Sequence, residues 1–281
     1  MSAGRGIVRT ARRPAGWIAP GPAPRGRDDV APGPGEDLCF LSGDWRILQR
    51  VDGHRWSLDD LVTAWLAARV ASSRPPRRLL DLGCGIGSVL LMLAWRFPDA
   101  IAVGVEAQAV SVDLARRSIT WNGCGERCAV REGDLRDPQV VPEGPAFDLV
   151  TGTPPYLRLG TARESRRVQK GPCNFEHRGG IEAYATAAAR ALAPDGAFVV
   201  CEQASQDARA HAAAAAAGLT VARSLAVVPR AGKSPLFSVH EMRRPHGARP
   251  HETLAPLVVR DARGARTPAF RALRGDMGLP P

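Results

Sequence analysis

The stretch RRLLDLGCGIGSVLLMLAWRF, residues 77–97, decides the fold of this chain. Its first six residues form a short apolar run that is typical of a buried β-strand, and residues 88–97 are long and apolar enough for a helix. Between them stands Gly-Cys-Gly-Ile-Gly, and glycines permit the tight turn by which a strand leads directly into a helix. The stretch therefore predicts a strand–turn–helix unit with its turn at the carboxyl end of the strand.

The same alternation of strand and helix patterns continues along the chain. Further strands are predicted at 101–106, 128–134, 147–152 and 197–202, and helices at 109–122, 180–192 and 205–218. Upstream, we expect a hairpin in 44–56 around Asp52-Gly53 and a helix from the N-cap Ser57 to about Ala71. Downstream, strands at 219–229 and 236–242 have no helix between them and predict an antiparallel pair. The pattern predicts an α/β fold, with a doubly wound, mostly parallel seven-stranded sheet ending in an antiparallel hairpin.

Length and composition limit how many domains the chain can form. The chain has 281 residues, of which 44% are hydrophobic, which suits one large domain with its own core. Residues 1–36 are rich in Pro, Gly and Arg and are predicted to be a disordered basic tail. Residues 37–245 are the predicted domain, and 246–281 are predicted to be a basic C-terminal extension. The N-terminal tail fits either an organellar transit peptide or a disordered arm.

The formal net charge of +10 is concentrated at the two ends of the chain. Residues 1–27 hold six Arg and no acid, and residues 223–281 hold eleven basic against four acidic residues. Such a field favours a polyanion, with nucleic acid the first candidate, although a general drift toward Arg, Ala, Gly and Pro explains it equally well. No run of about 18 apolar residues predicts a membrane span. The six Cys lack the spacing of a metal site and indicate reduced thiols.

Several candidate site residues stand at the carboxyl end of a predicted strand or in the loop just after one. They are Asp81, Gly83, Gly85, Gly87, Glu106 and Asp134. Ligands of open parallel sheets bind at this edge. A dinucleotide fingerprint requires G-x-G-x-x-G, and Ser88 stands where its third Gly belongs, which weighs against a dehydrogenase. An acid about 20 residues after the glycine loop, such as Glu106, can accept hydrogen bonds from both hydroxyls of a ribose. The pattern therefore predicts a ribose-containing cofactor.

The predicted strand 147–152 runs into Thr153-Pro154-Pro155-Tyr156. Two prolines fix the backbone φ and remove N–H donors, so that their carbonyl groups stand rigidly at the strand end. The tetrapeptide resembles the (Asn/Asp/Ser)-Pro-Pro-(Tyr/Phe) motif of methyltransferases that act on the amino group of adenine, cytosine or glutamine amide. The resemblance implies that Thr153 and a Pro carbonyl accept hydrogen bonds from the target NH₂, while the ring of Tyr156 stacks on the planar target.

In this class the cofactor is S-adenosylmethionine. The resemblance implies that Asp81 faces its positively charged methionine end, Glu106 its ribose and Asp134 its adenine amino group. Three further segments look like parts of the bacterial valine-tRNA adenine-N6 methyltransferases: LQRVDGHRWSLDDLVTAW (48–65), VVPRAGKSPLFSVHEM (227–242) and LVVRDARGARTPAFRALRG (257–275). This likeness covers about residues 38–262. It implies methyl transfer to an exocyclic amino group of adenine in tRNA or other RNA.

A long basic loop, RLGTARESRRVQKGPCNFEHRGG (158–180), separates Tyr156 from the next helix. Loops of this length inside a compact domain are usually functional, although a solvated charge run is the alternative. Its cations and those of the later RAGKSP loop are candidates for phosphate contacts: Arg158, Arg163, Arg166, Arg167, Lys170, Arg178, Arg230 and Lys233. With RNA as the partner, we expect a monomer in the cytoplasm, with import into an organelle left open.

Other functions stay open on the residues alone. Thr153 stands where the motif has Asn, Asp or Ser, which leaves room for a protein-amide (glutamine) or small-molecule methyltransferase on the same scaffold. A non-catalytic RNA-binding protein with a decayed site is another possibility, and the intact acids Asp81, Glu106 and Asp134 weigh against it. A dehydrogenase offers no role for Pro154-Pro155-Tyr156.

Overall fold

A computed structural model describes residues 6–25, 27, 29–141, 146–158, 160, 169–245 and 250–281. The strands are β1 (Ile7–Val8), β2 (Glu36–Phe40), β3 (Arg46–Arg50), β4 (Arg78–Leu82), β5 (Ile101–Glu106), β6 (Cys128–Glu132), β7 (Phe147–Gly152), β8 (Leu192–Gln203), β9 (Thr220–Val228), β10 (Phe237–Arg243), β11 (Glu252–Thr253) and β12 (Leu257–Val258). The helices are α1 (Leu58–Val70), α2 (Ser88–Arg96), α3 (Ala109–Asn122), α4 (Lys170–Asn174), α5 (Ile181–Ala191), α6 (Asp207–Ala216) and α7 (Pro268–Asp276).

The main sheet has the strand order β6-β5-β4-β7-β8-β10-β9. Its first five strands are parallel to one another, and β10 is antiparallel to both β8 and β9. This confirms the predicted seven-stranded, mostly parallel sheet with a terminal antiparallel hairpin. The two-residue strands β11 and β12 extend the sheet beyond β9. The chain order reverses between β4 and β7, and ligands of doubly wound sheets bind beside such a reversal.

Helices cover both faces of the main sheet. The core on one face includes residues of α1, α2, α3 and α7, and the core on the other includes residues of α5 and α6. Leu79 and Leu80 are adjacent on β4 and fully buried, one in each core, because successive strand residues point to opposite faces. Burial on both faces explains why this strand reads as a continuous apolar run. Among the described residues, no helix has the length and apolar character that a bilayer crossing demands.

The N-terminal hairpin differs from the sequence expectation. Its strands are β2 and β3, joined by a turn at 41–45, so the predicted turn at Asp52-Gly53 is wrong. The prediction overlooked β2 because EDLCF follows directly on a Pro- and Gly-rich stretch. Tertiary contacts hold β3 in place, since Ser118 of α3 accepts a hydrogen bond from Leu48 N at 2.9 Å and Asn122 accepts one from Arg46 N at 2.9 Å.

Residues 6–25 lie along this hairpin, within the segment for which the composition predicts disorder. Strand β1 pairs in parallel with β2, and the guanidinium of Arg9 lies 2.8 Å from the carboxylate of Asp37. Asp37 is fully buried, so the arm supplies a charge partner that this carboxylate needs. Gly21 packs against the ring of Trp95. Composition favours disorder because it does not reveal such partners elsewhere in the fold.

Residues 250–281 share the core of the main domain. Strand β12 pairs with β9, and Phe270 and Leu273 of α7 are buried together with Met277 and Leu279. Gly278 O accepts a hydrogen bond from Gly43 N at 2.8 Å, which joins the C-terminal segment to the N-terminal hairpin. The predicted extension therefore packs as a layer of the domain.

Candidate active site

One cavity of about 640 Å³ opens over the carboxyl ends of the central strands, beside the reversal between β4 and β7. Its volume lies within the range of roughly 300–1,000 Å³ that is usual for small-ligand sites. Most residues predicted for the site line its wall: Gly83, Gly85, Glu106, Asp134, Thr153, Pro154, Pro155 and Tyr156. Asp81 and Gly87 are buried beneath this wall and are not among its lining residues. Residues predicted from four separate strand ends are thus brought to one cavity.

The path of the glycine loop, residues 83–87, depends on backbone conformations that glycine adopts easily. Gly83 and Gly85 have φ values of 58° and 55°, in the left-handed region that side chains disfavour. A Cβ at Gly83 would also collide with the hydroxyl of Tyr184. The loop therefore presents bare backbone to the cavity and allows a ligand to approach closely.

Glu106 ends β5 and is only 7% exposed. Its carboxylate accepts hydrogen bonds from Gly85 N at 2.9 Å and from Gln108 N at 2.7 Å. Burial raises the pKa of the Glu106 carboxyl above its ordinary value, and the backbone N–H groups of Gln108 and Gly85 oppose the shift. A carboxylate offers about four acceptor positions, so Glu106 can still accept hydrogen bonds from hydroxyl groups in the cavity.

Asp81 is 2% exposed and supports the loop from below. It accepts a hydrogen bond from the Thr151 hydroxyl at 2.8 Å and another from Leu90 N at 3.1 Å. Burial raises the pKa of Asp81 to about 7. Asp81 thus connects β4 to β7 and to the first turn of α2, and a direct contact with a cofactor stays a prediction.

Helix α1 adds two acids to the wall, Asp59 and Asp60. Asp60 is 4% exposed and accepts a hydrogen bond from Ser57 N at 3.0 Å. Burial raises the pKa of Asp60 to about 8, and the neighbouring Asp59 carboxylate adds to the shift. In the sequence, Asp60 stands three residues after the N-cap Ser57, a position where an acid caps the start of a helix, so only the second acid beside it could have signalled a further role. These carboxyl groups make one part of the cavity suited to a cation.

Asp134 lies in the wall beyond β6, where Arg136 already engages it. The guanidinium of Arg136 lies 2.6 Å from one Asp134 oxygen, and Arg136 N donates to the other at 2.9 Å. This pairing with Arg136 lowers the pKa of the Asp134 carboxyl. Asp134 is therefore an anion with part of its acceptor capacity in use.

The Thr153–Tyr156 segment follows β7 and forms another part of the wall. Pro154 is buried, and Thr153, Pro155 and Tyr156 are half-buried. The Tyr156 hydroxyl lies 3.2 Å from an Asp59 carboxylate oxygen and 3.1 Å from Cys201 Sγ. Burial raises the pKa of Tyr156 well above its ordinary value, so the hydroxyl stays a neutral donor. Helix α1 and strand β8 thereby hold the far end of the ring.

The described residues between Tyr156 and α5 line the cavity from one side. Leu157 and Phe175 form an isolated parallel bridge, and Arg178 places a cation in the wall. The guanidinium of Arg209 in α6 lies 2.6 Å from the carboxylate of Glu176 and anchors these residues. Of the cations predicted to contact phosphates, Arg158 is exposed beside the cavity. Arg163, Arg166, Arg167 and the side chain of Lys170 lie outside the described part of the structure.

Comparison with known proteins finds similarity to methyltransferases. Residues 79–169 match the family model of a methyltransferase domain. The tRNA1(Val) (adenine(37)-N6)-methyltransferase of Porphyromonas gingivalis is 29% identical over 138 residues, which are 48% of this chain and 53% of that protein. The protein of the same name from Tolumonas auensis is 29% identical over 73% of this chain and 84% of its own length. The release factor glutamine methyltransferase of Chlorobaculum tepidum is 33% identical over 33% of this chain and 32% of its own length.

The chain spans about half the length of the first curated relatives it matches. Among solved structures, a predicted O-methyltransferase from Agrobacterium tumefaciens superimposes with a TM-score of 0.60 at 20% identity. That match covers 79% of this chain and 98% of the other, and at this identity it concerns the fold. Residues 79–169 therefore match a methyltransferase domain, the fold is Rossmann-like, and the sequence is similar to that of the bacterial tRNA1(Val) adenine-N6 methyltransferases.

Proposed function

We propose that this protein transfers a methyl group from S-adenosylmethionine to the exocyclic amino group of an adenine in tRNA or other RNA. The observation that carries the proposal is the single cavity shared by Glu106, Asp60 and the Thr153–Tyr156 segment. Strands β5 and β7 flank β4, so Glu106 and Thr153 follow strands two spacings apart, roughly 10 Å. That separation suits a donor and a planar acceptor placed side by side.

We call the part of the cavity beside Glu106, Asp60 and the glycine loop the donor part, because it would hold the methyl donor. It fits the cofactor in charge and in hydrogen-bonding capacity. S-adenosylmethionine, when bound, supplies a methyl group on a positively charged sulfur. Glu106 lines the cavity and would accept hydrogen bonds from the ribose hydroxyls, and the bare backbone at Gly83 and Gly85 leaves room for the ligand. Asp60 and Asp81 are buried carboxyl groups whose pKa values are raised to about 8 and about 7. A nearby cation relieves the cost of ionising such groups, so these acids favour a positively charged ligand.

The acceptor part fits a flat amino-bearing group. The Thr153 hydroxyl and a proline carbonyl at the end of β7 would accept hydrogen bonds from the target NH₂ and orient its nitrogen. Tyr156 would stack on the ring, a contact worth about 1–3 kcal/mol for a nucleic-acid base. Such positioning supplies much of the rate enhancement when the donor is already reactive.

The relatives favour RNA among possible acceptors, because those from P. gingivalis and T. auensis are named for adenine 37 of tRNA1(Val). The chain is also basic, with a net charge of +10. A folded RNA would have to present its target adenine splayed out of the stack to reach Tyr156. We expect an enzyme of this kind to work in the cytoplasm.

The test is a methyl-transfer assay with the purified full chain, labelled S-adenosylmethionine and unmodified valine tRNA transcript. We expect label in the RNA, and nucleoside mass spectrometry should identify it as N6-methyladenosine. Absence of transfer to this transcript and to total tRNA from cells lacking the gene would contradict the proposal.

A second candidate is a glutamine-amide methyltransferase, because the Pro-Pro-Tyr motif is shared by amide and adenine methyltransferases and Thr153 selects neither. The release factor glutamine methyltransferase of C. tepidum is among the relatives of this chain. Labelling a cell extract separates the two candidates. Label that survives ribonuclease and is lost on protease treatment would favour the amide, and the reverse would favour RNA.

A further inference from the structure

Two loops lie side by side at the same edge of the main sheet as the cavity. The first, residues 229–236, joins β9 to β10, and the second, residues 259–266, follows β12. Strand β12 pairs in parallel with the end of β9, so both loops leave the sheet in the same direction. Two hydrogen bonds of 2.8 Å join them, one from Ala231 N to Arg260 O and one from the Arg230 guanidinium to Ala262 O.

These loops carry a concentrated positive charge. We name as the basic rim the five cations of the two loops: Arg230, Lys233, Arg260, Arg263 and Arg266. The loops contain one acid, Asp261, and its carboxylate accepts a hydrogen bond from Ala265 N at 2.9 Å within the turn. Among the residues that the structure describes, no Asp or Glu forms an ion pair with a cation of the basic rim. Three of its arginines donate to backbone oxygens instead, Arg230 to Ala262 O, Arg260 to Gly264 O and Arg266 to Pro281 O.

Neighbouring arginines on the strands differ from those of the basic rim, because they have carboxylate partners. Arg223 of β9 lies 2.9 Å from the carboxylate of Glu252, and Arg243 of β10 pairs with Glu241. Arg274, beside the basic rim, has its pKa lowered to about 10 by burial and by repulsion from Arg266. Asp and Glu side chains therefore neutralise arginines along the strands of this hairpin, and the described loop arginines have no Asp or Glu partner, an arrangement that favours an external anion.

The basic rim is continuous with the cavity. Leu236, in the same loop as Lys233, lines the cavity wall together with Phe237 and Gln203, and its side chain is 55% exposed. Strand β9 is three strand spacings from β7, which is roughly 14 Å. That distance is short enough for an RNA strand with its target base at Tyr156 to pass over the basic rim within a few nucleotides.

We propose that the basic rim binds phosphates of the RNA strand next to the target nucleotide. This inference rests on the proposed function, because it takes the acceptor in the cavity to be an RNA base. Exposed arginines suit phosphates well, since the planar guanidinium donates two parallel hydrogen bonds to a pair of phosphate oxygens. The contact is independent of base identity and positions the strand, while the cavity selects the nucleotide.

The test removes two charges whose side chains make no hydrogen bond within the described structure, with the double variant Lys233→Gln/Arg263→Gln. The matched control, Arg77→Gln/Arg96→Gln, removes two exposed charges at the opposite edge of the sheet. Affinity for a fluorescently labelled, unmodified valine tRNA transcript is measured by anisotropy over a range of salt concentrations. Binding of S-adenosylhomocysteine, measured by calorimetry, checks that each variant retains its cofactor site.

Each phosphate contact contributes about 0.7 to 0.9 to the slope of log affinity against log salt, so we expect the slope to fall by about 1.4 to 1.8 in the rim variant. The control variant should keep the wild-type slope, and all proteins should bind S-adenosylhomocysteine equally. If the wild type binds and methylates the RNA while the rim variant matches the control, the inference is overturned and the proposed function stands. If the wild type binds S-adenosylhomocysteine but neither binds nor methylates RNA, the proposed function fails, and the inference fails with it.

Discussion

The donor part of the cavity and the basic rim use charge in opposite ways. Asp60, Asp81 and Glu106 are at most 7% exposed and carry raised pKa values because burial disfavours their ionised forms. The cations of the basic rim lie on surface loops and have no Asp or Glu partner among the described residues. Buried acids can hold a small cation firmly and at short range. Exposed arginines suit a long polyanion that must bind and leave, and salt screens them.

The largest expected effect on cofactor affinity comes from replacing Glu106 in the donor part of the cavity. Glu106→Gln should lower the affinity for S-adenosylhomocysteine about 100-fold or more, because hydrogen bonds to a charged group are worth about 1.5–3 kcal/mol each and two ribose hydroxyls lose them. Calorimetry measures the loss. Glu132→Gln, an exposed acid at the end of the neighbouring strand β6, is the matched control and should bind normally. Equal affinity in both variants would remove Glu106 from the site.

A smaller effect should follow from removing the stacking ring. Tyr156→Ala should lower kcat/KM for RNA about 10- to 100-fold, because stacking on a base is worth about 1–3 kcal/mol. Tyr156→Phe keeps the ring and loses the hydroxyl contacts to Asp59 and Cys201, so its kcat/KM should stay close to that of the wild type. Both variants should bind S-adenosylhomocysteine normally. If the Phe variant is as impaired as the Ala variant, the hydroxyl rather than the ring is what the reaction requires.

The buried acids predict a pH dependence that the basic rim does not share. A bound cation favours the ionised carboxylates, so cofactor affinity should rise with pH and level off above the raised pKa values of Asp81 and Asp60, about 7 and about 8. Below them, we expect a loss of about tenfold per pH unit for each linked proton. Calorimetry from pH 5.5 to 8.5 measures the slope, and Asp60→Asn should flatten it. A wild-type affinity that is constant over this range would show that these acids do not face the cation.

The smallest effect is expected at Asp134. Its carboxylate is already engaged by Arg136, so Asp134→Asn should weaken S-adenosylhomocysteine binding only about two- to tenfold, the value of one ordinary hydrogen bond. Asp113→Asn, at an exposed acid of α3 outside the cavity, is the control. A loss at Asp134 as large as that at Glu106 would mean that Arg136 releases the carboxylate when the cofactor binds.

Much of the fold and of the site could be predicted because both depend on local sequence patterns. Strands β4 to β10 read as short apolar runs, and the positions of Glu106, Asp134 and Thr153 follow from where those runs end. Parallel strands bring their carboxyl ends to one edge, so strand ends that are distant in sequence become neighbours. Asp59 and Asp60 could not be placed in the same way. They lie on a helix that precedes the sheet, and only packing brings that helix against β7, β8 and β10.

The amino-acid sequence by itself determined the alternation of strands and helices, the glycine turn and the acids at the strand ends, because hydrophobic period and turn chemistry are local properties. Only the tertiary structure decided which partners these residues meet. It placed Asp81 beneath the loop instead of in the cavity wall and gave Tyr156 its contact with Asp59. It also brought residues 6–25 against buried Asp37 and joined the loops of the basic rim. Such contacts join residues from 28 to 97 positions apart, and no local pattern encodes which of them will meet.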